Sequence, residues 1–110
     1  MINLSRIARK LRKEGFSFHE AIYPPIGSIV QDYERKGKTL RGVVWRNFYR
    51  DATIDGKHNV ILQIEPAVVE DGYASQSALA EEVSNILGCM GLRVWTIRLG
   101  VAAYLRVGEV

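Results

Sequence analysis

The stretch VVWRNFYRDATIDGKHNVILQIEP, residues 43–66, decides the fold. Asp55-Gly56 stands inside it, between two segments rich in β-branched and aromatic residues. An Asp-Gly pair tolerates positive φ at both positions, which the tightest hairpin turns require, and their twist matches that of the paired strands. The spacing therefore predicts a long antiparallel hairpin, VVWRNFYRDAT against HNVILQIEP. Both faces of that hairpin carry apolar side chains. Val43, Trp45, Asn47 and Tyr49 alternate with Val44, Arg46, Phe48 and Arg50, and across from them Val60, Leu62 and Ile64 alternate with Ile61, Gln63 and Glu65. Such a sheet needs cover on both sides, from helices or from another subunit, because large contiguous apolar patches are seldom left in water.

Downstream, SALAEEVSNILGCMG (77–91) repeats Leu79, Val83, Ile86, Leu87 and Met90 at helical spacing, with Ser75 or Ser77 as the cap and Gly88 or Gly91 as the stop. Glu81 and Glu82 are expected in solvent near the helix start, and Cys89 is expected as a small buried apolar residue. LRVWTIRLGVAAYLRV (92–107) reads as one bent strand with a bulge at Gly100, or as two strands.

Upstream, Asn3 caps a helix whose apolar stripe is Leu4, Ile7, Ala8 and Leu11 and whose C′ residue is Gly15. FSFHEAIY (16–23) alternates as a strand and is stopped by Pro24-Pro25, since proline cannot donate to a ladder. Residues 26–38 leave two readings open. Ser28 caps a short helix using Ile29, Val30 and Tyr33, or residues 26–30 form a short strand; ERKGK (34–38) is a basic loop in both. Together the elements predict one α+β domain over residues 1–110, a small, mostly antiparallel sheet of the long hairpin plus terminal strands, packed by two helices.

With 110 residues, the chain can bury about two-thirds of its unfolded surface. The lone Cys89 excludes an intramolecular disulfide framework and fits a reducing compartment. No apolar run approaches the roughly 20 residues needed to span a bilayer. The net charge of +3 conceals an asymmetry: residues 1–50 hold 11 Lys/Arg against 4 Asp/Glu, or +7, and residues 51–110 hold 4 against 8, or −4. A chain so divided favours head-to-tail attraction between copies or contact with a polyanion.

Enzyme signatures are missing from the sequence. His19 and His58 stand alone without Cys or His at zinc-ligand spacing, and no P-loop, G-x-G-x-x-G or G-x-S-x-G occurs. Asp51, Asp55 and Glu65 flank the turn as a conceivable metal-dependent nuclease cluster, but Asp55 serves the turn and Glu65 is followed by Pro66 with no lysine near it. Trp45, Phe48 and Tyr49 beside Arg46 and Arg50 have the composition of a single-strand stacking surface, and equally that of an ordinary half-buried strand.

The order of elements resembles the tail-terminator and minor tail proteins, the head-tail joining proteins, of long-tailed bacteriophages. The likeness lies in NVILQIEP (59–66), a polar turn (69–75), QSALAEEVSNIL (76–87) and the closing β segment (92–107). It is one of pattern, and ferredoxin-like domains share much of the same order. The short N-terminal half, with its basic helix and residues 26–38, departs from it. The resemblance implies a non-enzymatic structural subunit without cofactor or metal, assembled in the host cytoplasm into a homo-oligomeric ring, typically hexameric. That ring caps the tail tube within the virion and joins it to the head, with other tail or neck proteins as partners and no membrane. Arg6, Arg9, Lys10, Arg35, Lys36 and Lys38 are then the candidates for subunit interfaces or non-specific DNA proximity. The alternatives are a small basic nucleic-acid-binding module and, behind it, the metal-dependent nuclease.

Overall fold

The structure, a computed structural model, describes residues 2–20, 25–67, 72–99 and 102–109. In chain order it contains helix α1 (Leu4–Lys13), strand β1 (Phe16–His19), helix α2 (Ile26–Arg35), strand β2 (Gly42–Arg46), a 3-10 turn (Phe48–Arg50), strands β3 (Ala52–Ile54) and β4 (Lys57–Pro66), helix α3 (Gly72–Cys89), and strands β5 (Leu92–Leu99) and β6 (Ala102–Glu109). The strands form one mixed sheet in the order β1-β2-β4-β6-β5, with β3 paired to β4 beside that path. β1 and β2 are parallel and every other pairing is antiparallel. The fold is α+β with a mostly antiparallel sheet, as the sequence predicts, but three helices pack it rather than two.

The third helix is α2, which settles the reading of residues 26–38. Pro25 occupies its N-cap position, so Ser28 lies inside the first turn instead of capping it. A parallel pair of strands needs a crossover between them, and α2 lies in the connection from β1 to β2.

The sheet's two faces have separate cores. On one, Ile7, Ala8 and Leu11 of α1 and Ala80, Val83 and Leu87 of α3 pack with Phe16, Phe18, Val44, Val60, Leu62, Ile64, Leu105 and Val107. On the other, Ile29 of α2 packs with Val43, Trp45 and Leu40, and Ile26, Val30 and Tyr33 lie at its margin. The apolar surplus read from the hairpin is therefore covered within the chain over β2. On the first face Gly42 lets α3 approach β2 closely: a Cβ at that position would stand 2.9 Å from the Glu65 carbonyl oxygen and 3.2 Å from Leu79.

Asp55 and Gly56 turn with φ of 52° and 74°, as expected of the hairpin signal. The hairpin itself is interrupted. Ala52 pairs with Asn59 while Arg46 pairs with Leu62, so residues 47–51 lie opposite only Val60 and Ile61. The 3-10 turn absorbs the excess, and Asp51 secures it. Its Oδ1 accepts the Ile61 N–H at 2.8 Å, and its Oδ2 accepts Arg46 Nη2 at 2.8 Å and Nε at 3.2 Å. Strict alternation stops at this break, which leaves Tyr49 fully exposed and Phe48 half exposed.

Asn3 caps α1 by accepting the Arg6 N–H at 3.0 Å, and Gly15 follows the helix at φ +90°. α3 starts earlier than expected, at Gly72, so Ser75 and Ser77 lie within it and Glu81 and Glu82 fall mid-helix. Cys89 is exposed, not buried: Val83 and Leu87 fill the core-facing positions of this helix, and Cys89 falls outside that stripe. The C-terminal segment is two paired strands. The expected bulge at Gly100 and the strand residues 21–23 lie outside the described residues.

Candidate functional site

The six basic candidates do not form one surface. Arg6, Arg9 and Lys10 are exposed on α1, whose buried side packs on the first face of the sheet. Arg35, Lys36 and Lys38 are exposed at the end of α2, which packs on the opposite face. Two are partly neutralised by neighbours, Lys10 by Glu14 at 3.2 Å and Arg35 by Asp32 at 3.6 Å. The acids weighed as a metal cluster are not brought together either. Asp51 is committed to Arg46 and Ile61, Asp55 occupies the turn, and Glu65 sits opposite Val43 at the far end of β4. Among the described residues no group of three His, Cys, Asp or Glu side chains is placed to hold a metal ion.

The suspected stacking residues separate as well. Trp45 is buried under α2, with its Nε1 unpartnered among the described residues. Phe48 lies against the Arg46 guanidinium, 4.2 Å from ring centroid to Cζ. Arg50 instead reaches over Tyr104 of β6 at 5.1 Å.

What the sheet does assemble lies on its second face, across β4, β6 and β5. Cross-strand pairing aligns Ile61 with Arg106 and Arg106 with Trp95, and aligns Gln63 with Tyr104. The Arg106 guanidinium lies 3.8 Å from the Trp95 ring centroid, and Arg93 approaches the same ring at 6.0 Å. Gly108 makes the room: a Cβ there would stand 2.6 Å from Asn59 Oδ1 and 3.4 Å from the Trp95 ring. Asn59 is buried and donates to the Lys57 carbonyl at 3.0 Å. Beside these residues a cleft of about 250 Å³ opens toward the β3–β4 turn, lined also by Ile54, Asp55 and Glu109. The sequence reading missed this arrangement. Its signal was Arg93-x-Trp95 and Tyr104-x-Arg106, which converge on one face once residues 92–109 fold as a hairpin.

A larger groove of about 600 Å³ lies where α1 crosses β1, lined by Ser5, Arg9, Arg12, Phe18, His19 and Glu20 among others. His19 Nε2 is 2.7 Å from Ser17 Oγ, and its ring is 5.0 Å from that of Trp45. Burial, and then the nearby Arg12 charge, lowers its pKa from 6.5. Arg41 ties the elements around the β1–β2 end together. It donates to the Glu14 carbonyl at 3.0 Å, pairs with Glu82 of α3 and lies over Phe16 at 5.0 Å. The bond to Glu82 is the main reason its pKa is raised.

Both outer strands are open among the described residues. β1 pairs only with β2, and β5 pairs only with β6 along all eight of its residues. Arg93, Trp95 and Thr96 are exposed on β5. Among the described residues no helix is long and apolar enough to cross a membrane.

No family model matches the chain, and no curated protein matches it. One solved structure that does is the blue-light activated histidine kinase of Erythrobacter litoralis EL346, at 14% identity and a TM-score of 0.35, covering 96% of this chain. The chain spans 40% of that protein's length. At that score the likeness defines neither fold family nor activity.

Proposed function

We propose that this chain is a non-enzymatic assembly subunit whose copies join head to tail into a ring, of the kind that caps the tail tube and joins it to the head in long-tailed bacteriophages. One observation carries the reading: among the described residues the sheet has two open edges, β1 at one end of the strand order and β5 at the other. An unpaired strand is a template for another chain. When two different edges of like molecules meet, the contact is heterologous and closes into a ring if the rotation permits. The pattern-level resemblance to tail-terminator proteins supplies the setting.

Light scattering coupled to size exclusion tests the reading. The expected result is a discrete oligomer, seen as rings by negative-stain microscopy. Thr96→Lys, which places a charge on the exposed β5 edge, is expected to shift it to monomer. A chain that stays monomeric at every concentration, alone and with tail-tube protein, overturns the proposal.

A further inference from the structure

Beyond α2, the second sheet face carries a surface that edge-to-edge assembly does not use. We propose that it binds single-stranded nucleic acid through Arg50, Arg106, Trp95 and Arg93, with the buried Tyr104 ring backing Arg50. Two cation–ring pairs, Arg50 over Tyr104 and Arg106 over Trp95, stand side by side because Tyr104 and Arg106 are two residues apart on β6 and share a face. A guanidinium held against a ring keeps its N–H edge for a phosphate, and its outer plane accepts an unpaired base. Arg93 adds a third cation beside the same indole.

A single arginine on a tryptophan is ordinary packing. Three features set this surface apart. The pairs are consecutive along one strand, at a step comparable to that between nucleotides of an extended single strand. Trp95 remains 38% exposed although Arg106 and Gly108 lie against it. Arg106 is only partly buried, with its Nε enclosed and unpartnered among the described residues, so its terminal N–H groups are the ones a ligand can reach. The face is a pleated sheet, which suits splayed bases; a duplex hides its base planes and offers only phosphates to such a platform.

The test uses the full chain and a fluorescein-labelled oligo(dT) of about a dozen nucleotides, within the span one such platform covers, read by fluorescence anisotropy. Saturable binding is expected, weakening roughly tenfold between low salt and about 0.2 M salt as three phosphate contacts release counterions. Arg106→Gln and Trp95→Leu are each expected to weaken it by about fivefold or more. Arg93→Gln alters an exposed side chain and decides the matter if the other variants unfold. A matched duplex and polyglutamate are the comparison ligands. Absent binding at low salt, unchanged affinity in Arg93→Gln together with Arg106→Gln, or polyglutamate competing as well as oligo(dT) each overturns the proposal. The last outcome would mark the face as a general polyanion or acidic-protein surface. Because Thr96→Lys leaves all five residues in place, the experiment repeated on that variant separates this inference from the assembly reading.

Discussion

His19 illustrates how position within the sheet sets the behaviour of a single side chain. It closes the edge strand β1, bonded to Ser17 and beside the Trp45 ring. Desolvation first and Arg12 second disfavour its charged form, so its folded pKa lies below the unfolded value of 6.5. The unfolded chain then binds the proton more readily. Stability from this group is therefore fully present above about pH 6.5 and is lost as pH falls from there through the folded pKa. Chemical denaturation as a function of pH is expected to show that loss in the native protein, and His19→Gln should reduce the slope in this window. The sequence marked His19 as a solitary histidine on a strand. It carried no sign of Arg12, which α1 brings over β1.

At the scale of elements, the interrupted hairpin is the feature with the largest local consequence. Asp51 bonds to the backbone of β4 and to Arg46 of β2, and both side chains are largely buried, at 8% and 16% exposure. Asp51→Ala would leave the Arg46 guanidinium without its carboxylate and the Ile61 N–H without its acceptor. A loss of about 2–4 kcal/mol is expected in urea denaturation, and Asp51→Asn should lose less because it keeps an acceptor for Ile61. The Asp-Gly turn was legible because its signal is local. The three-residue excess was not, because alternation through Asn47, Phe48 and Tyr49 looks like a continuing strand until β4 imposes its register. For the same reason Asn3 and Gly15 were readable as the caps of α1, whereas α2 stayed ambiguous until the parallel β1–β2 pair placed a crossover there.

For the whole molecule, the strand order leaves two different strands, β1 and β5, as the outer edges among the described residues. If copies meet edge to edge through exposed ion pairs, raising the ionic strength weakens the contact, since exposed charges are screened beyond about 10 Å at 0.1 M salt. Sedimentation velocity is expected to show the oligomer dissociating as salt rises toward about 1 M, where the screening length is near 3 Å. An oligomer that grows tighter with salt would place the contact on apolar surface instead. By itself the sequence determined the α+β class, the Asp-Gly turn, the cap of α1 and the apolar stripes of α1 and α3, because each depends on neighbours within a few residues. Tertiary structure decided that α1 and α2 lie on opposite faces and so divide the basic residues into two patches. It also decided that Cys89 is exposed and that Trp95 meets Arg106. Those outcomes depend on strand order and register, which arise when segments far apart in the chain compete for the same sheet.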